Sequence, residues 1–211
     1  MGVRAEQKER TRKTLINVAL DMVAEGRSFT SLSLREVTRA ASIVPTAFYR
    51  HFQSMDELGM AIVAEVLPVL REQMRQLRQN ASDKKQDQIL EHSVRFFIEF
   101  VLKHPREFMF YGREIAGGSK ALRNTLRLQT FSFTQDLTDD LVGLGMGAAL
   151  PYADRLVIAD LIVRMFLTTT QDVLEMSGKQ EALQSLEKRS IWQLRIISLG
   201  VNQWAPKTNQ A

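Results

Sequence analysis

Apolar side chains recur every three or four positions along most of this chain, which is the spacing of amphipathic helices. Clear alternation of apolar and polar residues is lacking, and no Asn-Gly or Asp-Gly hairpin turn interrupts the sequence. We therefore predict an all-α protein. The first apolar stripe, which predicts a helix over about residues 6–25, consists of Leu15, Val18, Ala19, Met22 and Val23.

Two short helices are predicted next, on the strength of their end signals. Ser33 followed by Glu36 forms a capping box, in which each side chain satisfies a backbone N–H at the start of a helix over 34–41. Pro45 suits the first turn of a helix over 45–51, since a proline lacks the N–H that would be unpaired there. Two helices of about eight residues joined by a short turn have the lengths of a helix-turn-helix.

Longer helices follow this pair, separated by polar or glycine-rich breaks. We predict two domains, a helix-turn-helix domain over residues 1–53 and a longer helical domain over 54–211. The architecture then comprises about nine helices. The six longer ones are predicted over about 54–80, 86–103, 105–116, 119–142, 152–177 and 180–203.

The surface that the helix-turn-helix leaves exposed is chemically suited to DNA. Tyr49 presents a hydroxyl, and Arg50 and His51 are cationic or can become so. The small side chains of Pro45, Thr46 and Ala47 allow the second helix to enter a major groove. Such groups fit phosphate oxygens and base edges.

Charge adds to this picture through its placement. The formal net charge is +4, and residues 1–53 carry nine Lys and Arg against five Asp and Glu. The rest of the chain carries 19 of each sign and therefore balances. An excess of positive charge confined to the first quarter is expected if that quarter faces a polyanion, although an uneven surface of four charges can also arise without function.

Composition excludes several other classes. Without cysteine there is no disulfide framework, thiolate metal site or cysteine nucleophile. The N-terminal residues are charged where a signal peptide is apolar, and no apolar run approaches the roughly 20 residues of a membrane span. We expect a cytoplasmic protein that makes no use of a membrane.

Enzyme signatures are also lacking in the sequence. We find no Gly-x-Ser-x-Gly, no phosphate-binding glycine loop and no metal-ligand spacing, and the three histidines are scattered. We therefore expect no catalytic residue, no metal and no cofactor. A purely structural helical bundle remains an alternative, but it would leave the charge bias and the Tyr-x-His-Phe sequence of residues 49–52 unexplained.

The segment from Leu34 to Leu58 resembles the DNA-binding domain of the TetR family of transcriptional repressors. The resemblance covers about residues 3–60, and within the family it is greatest to repressors of unsaturated fatty-acid synthesis. The residues that stand at the positions of the family signature are Val37, Ala41, Ile43, Tyr49, His51, Phe52 and Leu58.

This resemblance implies that residues 1–53 form a DNA-binding domain and that residues 54–211 form a domain for effector binding and dimerisation. It also implies the contacts to double-stranded DNA. Tyr49 and His51 would bind phosphates, whereas Pro45, Thr46 and Ala47 would face base edges. Arg4 is expected on a flexible arm that enters a minor groove. Tyr49 could instead pack, and the arginines of the arm could form a solvated helix start. The implied DNA-binding set is Arg4, Arg12, Ser31, Ser33, Arg35, Val44, Pro45, Thr46, Ala47, Tyr49, Arg50 and His51.

Two positions depart from the family pattern. The usual glycine of the turn is Ser42, so a residue with a side chain is expected in a left-handed conformation, at a cost of about 1 kcal/mol. The lysine often found at the start of the fourth helix is Met55, which removes one expected phosphate contact.

Aromatic residues cluster in the second predicted domain. Most have core spacing, but their excess could line an apolar cavity, with Arg113 and Glu114 either orienting a ligand head group or pairing with each other. The resemblance implies a long-chain acyl-CoA or acyl carrier protein thioester as effector; the alternative is an unrelated hydrophobic drug or metabolite. The candidate ligand residues are Phe97, Phe100, Phe110, Arg113, Glu114, Arg127, Phe131 and Phe166.

The last two helices carry more apolar positions than one buried face uses, which indicates a partner. By resemblance that partner is a second copy, packed about a twofold axis, so that the dimer selects a palindromic operator. Asp160 and Arg164 could form an interfacial or an ordinary surface pair. The candidate interface residues are Leu156, Val163, Leu167, Ile191, Leu194, Ile197 and Val201.

Overall fold

The computed structural model describes residues 2–80 and 85–203, and the regular structure of these ranges is entirely helical. This confirms the predicted fold class, and the helix ends agree with the prediction to within three residues. A 3-10 turn, Phe29–Ser31, precedes the second helix. The helices are α1 (Val3–Ala24), α2 (Leu34–Ala40), α3 (Pro45–Phe48), α4 (Met55–Gln79), α5 (Gln86–Lys103), α6 (Pro105–Gly117), α7 (Lys120–Asp140), α8 (Tyr152–Glu175) and α9 (Gln180–Gln203).

Contacts divide the chain into two compact units, and the long helices α4 and α7 each contribute to both. The first unit contains the chain up to Pro68 together with His104–Leu128, and the second contains Val69–Lys103 together with the chain from Gln129 onward. These units are groupings by packing. The functional division after residue 53 stays a prediction.

The first unit is built around α1. The buried stripe of this helix is wider than predicted, because Ile16 and Leu20 belong to it, whereas Val18 and Met22 lie half-buried at its edge. Phe48 and Phe52 are almost fully buried and anchor the segment after the turn. The buried residues of α1 are Leu15, Ile16, Ala19, Leu20 and Val23.

The start of α4 is capped by the side chains of Ser54 and Glu57. The Ser54 hydroxyl accepts a hydrogen bond from the Glu57 backbone N–H at 3.2 Å. The Glu57 carboxylate accepts from the N–H of Gln53 rather than from that of Ser54. The helix start is therefore satisfied one residue further upstream than in a standard capping box.

The second unit packs α5 against α8 and α9 and joins α4 to α7 by ion pairs. The Phe97 and Phe166 rings lie 4.8 Å apart between centroids. Arg78 and Asp140 form a largely buried pair with Nε and Oδ2 2.8 Å apart. The predicted glycine-rich loop after α7 is confirmed, and Gly147 within it has a φ of +68°, which favours glycine. Within the described ranges, no helix is long and apolar enough to cross a membrane.

Candidate nucleic-acid interface

The start of α2 is fixed by the predicted capping box, which the structure confirms. The Ser33 hydroxyl accepts from the Glu36 N–H at 3.2 Å, and the Glu36 carboxylate accepts from the Ser33 N–H at 2.9 Å. Arg27 donates to the other carboxylate oxygen at 2.8 Å. Hydrogen bonds from Ser33, and then the Arg27 guanidinium, lower the pKa of Glu36 to about 2. The carboxylate therefore stays charged over the physiological range.

The contribution of Arg27 was not predicted. This residue lies nine positions before Glu36, outside any helical periodicity, so no local pattern in the sequence connects the two. Their contact depends on how the chain turns between α1 and α2.

The turn between α2 and α3 has the predicted left-handed residue. Ser42 has a φ of +56°, and its N–H donates to the Arg39 carbonyl at 3.0 Å. The N–H of Ile43 donates to the Thr38 carbonyl at 3.0 Å, which closes the C-terminus of α2. This conformation costs a residue with a side chain about 1 kcal/mol, and the closing hydrogen bonds offset that cost.

Helix α3 ends at Phe48, three residues before the predicted end. The chain nevertheless continues in a helical turn, since the N–H groups of His51 and Phe52 both donate to the Phe48 carbonyl. Val44 and Tyr49 are each 63% exposed, so Tyr49 presents most of its side chain to solvent. Its ring touches only the edge of the buried Phe48 ring among the aromatic contacts described, with centroids 5.8 Å apart.

His51 lies half-buried in positive surroundings. Burial lowers the pKa of its imidazole, and the nearby charges of Lys8, Arg12 and Arg50 lower it further, against an opposing effect of Glu9. Its Nδ1 is buried, without a hydrogen-bond partner in the described part of the chain. The side chain is therefore neutral at physiological pH. Lys8, which the predicted set omitted, belongs to these surroundings because it lies on the same side of α1 as Arg12.

The N-terminal arm differs from its prediction. Arg4 is exposed but lies in the first turn of α1, so the expected flexible arm is wrong from Val3 onward. Arg12 lies within the unit: its Nη1 is 3.2 Å from Glu65 Oε1, and its guanidinium carbon is 5.3 Å from the Phe52 ring centroid. A contact of Arg12 with DNA would thus compete with these internal partners.

Most of the predicted DNA-binding residues are exposed to solvent, and most of these lie on or next to the two short helices. Ala47, Arg12 and His51 are partly buried. The exposed ones are Arg4, Ser31, Ser33, Arg35, Val44, Pro45, Thr46, Tyr49 and Arg50. A rigid backbone that carries hydroxyls, guanidinium groups and small side chains can bind phosphates and admit base edges.

Comparison with known proteins identifies this arrangement. Residues 15–62 match the family described as bacterial regulatory proteins, tetR family. This segment holds the second part of α1, the whole helix-turn-helix and the start of α4. The helix-turn-helix segment of this chain is thus similar to that of a family of bacterial regulatory proteins. The members of this family are regulators of transcription rather than enzymes.

Solved structures share the fold over nearly the whole chain. The fatty acid degradation regulator FadR from Bacillus halodurans superposes with a TM-score of 0.68 at 14% identity, over 87% of this chain and 94% of that one. A candidate fatty acid metabolism regulator from Clostridium perfringens gives 0.68 at 13%, over 89% and 98%. A tetR-family regulator from Streptomyces coelicolor gives 0.65 at 19%, over 97% and 85%.

The candidate ligand residues are divided between the two units. Phe97, Phe100 and Phe166 belong to the second unit, where Phe131 is 49% exposed. Phe110 is buried in the first unit, beside a cavity of about 10 Å³, which has room for about one water molecule.

The polar candidates lie in the first unit as well. Arg113 and Glu114 hydrogen-bond to backbone groups of the connection between α1 and α2. Arg127 is exposed on α7. A ligand head group would therefore have to compete for Arg113 and Glu114 with the backbone. Among the described residues, no cluster of His, Asp and Glu could hold a metal ion.

The predicted dimer face needs a correction. Ile191, Leu194 and Val201 are at most 7% exposed and pack inside their own unit, because they point towards the core side of α9. The other predicted interface residues, Leu156, Val163, Leu167 and Ile197, are half-buried. The outward apolar side chains of α8 and α9 are instead Val157, Leu161, Trp192, Ile196 and Leu199, each more than half exposed. Asp160 and Arg164 form an i, i+4 ion pair, in which Arg164 Nε lies 2.6 Å from Asp160 Oδ2, and Arg164 is exposed.

Proposed function

We propose that this protein represses transcription by binding a palindromic operator as a homodimer, with the exposed face of α3 in the major groove. The observation that carries the proposal is the composition of this face. Val44, Thr46 and Tyr49 are exposed beside Arg50, on a helix pair whose two ends are held by a capping box and a closed turn. Preorganised groups of this kind lose little freedom on binding.

The residues divide into two roles. Pro45, Thr46 and Ala47 stand where small side chains permit close approach to base edges, and the apolar surface of Val44 suits a thymine methyl group. Tyr49 and Arg50 bind phosphates, with Ser31 and Ser33 adding hydroxyl donors at the head of α2. Arg35 reaches either target. Arg4, on the first turn of α1, lies next to the minor groove.

Neutral His51 adds a proton-linked contact. A phosphate beside the imidazole would offset the surrounding positive charges and favour its protonated form. Operator binding is then accompanied by the uptake of a proton at His51.

The proposal is tested by removing the two phosphate contacts together. The Tyr49→Ala, Arg50→Ala double variant is expected to bind duplex DNA at least about tenfold more weakly, with a smaller salt dependence, because one fewer cation replaces counterions. Gel-shift titrations over a range of salt concentrations measure both. Lys120→Ala removes one exposed positive charge outside this face and serves as the control. An unchanged shift in the double variant would favour a helical bundle without DNA-binding function.

The effector we propose is a long-chain acyl thioester, either acyl-CoA or acyl carrier protein. The N-terminal residues 2–15 and the segments 31–41 and 45–52 resemble FabR, the repressor of unsaturated fatty-acid synthesis, and two similar structures are of regulators named for fatty acid metabolism. The aromatic pair Phe97 and Phe166 supplies apolar surface for an acyl chain. We propose unsaturated fatty-acid synthesis genes as the targets.

An unrelated hydrophobic molecule is the second candidate effector. Titration of the protein–DNA complex with acyl-CoAs of different chain lengths distinguishes the two. Our proposal expects the DNA affinity to change with a long-chain acyl-CoA and to stay constant with free coenzyme A. Constant affinity with every chain would contradict it.

A further inference from the structure

Two neighbouring side chains of α6 hold the backbone of the connection between α1 and α2. The Glu114 Oε1 accepts a hydrogen bond from the Phe29 N–H at 3.1 Å. Arg113 Nη1 donates to the Arg27 carbonyl at 3.1 Å and also to the Val23 carbonyl. Arg113 thereby satisfies carbonyls at the end of α1, and Glu114 satisfies the first N–H of the 3-10 turn.

The Glu114 contact is buried on all sides. Glu114 is 1% exposed and Phe29 is 2% exposed, and the Phe29 ring meets the Phe110 ring edge-on at 5.2 Å between centroids. Burial raises the pKa of the Glu114 carboxyl, whose second oxygen has no hydrogen-bond partner in the described residues. A carboxyl kept in such a place, with one oxygen on a backbone N–H, fixes the position of that N–H.

The same connection continues directly to the head of α2. Arg27, whose carbonyl is bound by Arg113, extends its guanidinium to the Glu36 carboxylate. Glu36 in turn caps the backbone of Ser33. A chain of hydrogen bonds therefore runs from α6 to the first turn of the helix-turn-helix.

We infer that Arg113 and Glu114 are positioning residues for DNA binding, which hold residues 25–33 in the conformation that presents the head of α2 to a phosphate. This inference rests on the proposed function. It assigns the two residues to the DNA-binding side of the molecule rather than to a ligand head group.

Loss of a positioning residue should affect the apparent Kd in a different way from loss of a direct DNA contact. If the connection takes its binding conformation for only a fraction of the time, the apparent Kd rises by the inverse of that fraction, equally for every DNA sequence. The number of phosphates neutralised in the complex does not change, so the slope of affinity against salt stays the same. A lost direct contact would alter that slope or the sequence preference.

The experiment compares Glu114→Leu, which removes the acceptor, with Glu114→Gln, which keeps an oxygen for the Phe29 N–H. The DNA is a duplex that the wild-type protein selects from a random pool. We expect Glu114→Leu to bind about tenfold more weakly with an unchanged salt slope, and Glu114→Gln to bind within about twofold of wild type. The control is Glu181→Leu, which removes an exposed carboxylate on α9, outside the connection, and should bind as wild type does.

The amide resonance of Phe29 in 15N-phenylalanine-labelled protein reports the contact itself. It should move in Glu114→Leu and stay near its wild-type position in Glu114→Gln. Because Glu114 is buried, Arg113→Met, at an exposed position, provides a variant that keeps the fold, and it should weaken binding in the same way.

The inference is overturned if Arg113→Met and folded Glu114→Leu bind as tightly as wild type, or if Glu114→Gln binds as weakly as Glu114→Leu. A wild-type protein that selects no duplex at all would instead refute the proposed function, so the two failures are distinguishable.

Discussion

Ser42 shows how much a single residue can reveal about this fold. Its position in the turn and the glycine usual there together predict a left-handed backbone, and its φ of +56° agrees. The Ser33 and Glu36 capping box is equally local and equally predictable. In contrast, the partners of Arg113 and Glu114 lie about 85 to 90 residues away, on backbone groups that carry no sequence signal. The sequence pattern therefore does not distinguish between a ligand-binding role for these two side chains and an ion pair between them.

Ser42→Gly is expected to stabilise the protein slightly. Relief of the left-handed conformation gains about 1–2 kcal/mol, and the greater freedom of glycine in the unfolded chain offsets about 0.5–1 kcal/mol. The free energy of unfolding from urea titration should therefore rise by up to about 1.5 kcal/mol. Ser185→Gly, at an exposed position inside α9, should lower it. A loss of stability in Ser42→Gly would contradict our account of the turn.

At the scale of elements, the helices are predictable because their apolar spacing and end signals agree. The differences arise where tertiary packing decides. Helix α1 buries Ile16 and Leu20 in addition to the predicted stripe because α2 and α6 both pack against it. The regular part of α3 ends at Phe48 because the buried rings of Phe48 and Phe52 set the path of the following turn.

We expect substitution by alanine to have opposite effects on stability at Gly59 in α4 and at Gly112 in α6. A Cβ at Gly59 would lie 2.8 Å from the buried Phe29 ring, whereas a Cβ at Gly112 has nothing within 4 Å. Alanine gains about 1 kcal/mol of helix propensity at either site, but overpacking at residue 59 costs about 1–3 kcal/mol. Thermal unfolding should show Gly112→Ala to be more stable than wild type and Gly59→Ala to be less stable. Equal stabilisation of both variants would show that the Phe29 ring can move aside without a measurable cost, which would contradict the prediction.

At the scale of the whole molecule, an outward apolar face on α8 and α9 accounts for the proposed homodimer. The sequence correctly indicates that these helices have apolar residues beyond one buried face. The sequence analysis places Ile191, Leu194 and Val201 on the outward face of α9, whereas these residues are buried. Helical periodicity gives the angles between side chains but does not show which face meets the core.

Ile196→Glu tests this face, since a carboxylate on each copy cannot be buried in a twofold apolar contact without a large desolvation cost. Sedimentation should give a dimer of the 24.1 kDa chain for wild type and a monomer for the variant. Gln193→Glu adds the same charge at another exposed position of α9 and is the control for charge at a less apolar site. A dimeric Ile196→Glu would show that the copies associate through another surface.

The most direct test of the central claim is a selection of DNA sites from a random pool by the purified protein. The account predicts an enriched site with twofold symmetry, whose half-sites are separated by about one helical turn, or a multiple of it, as expected for a dimer with two recognition helices. It also predicts that the Tyr49→Ala, Arg50→Ala double variant loses this enrichment. A pool without enrichment, or the same site selected equally well by the double variant, would contradict the claim that α3 reads an operator.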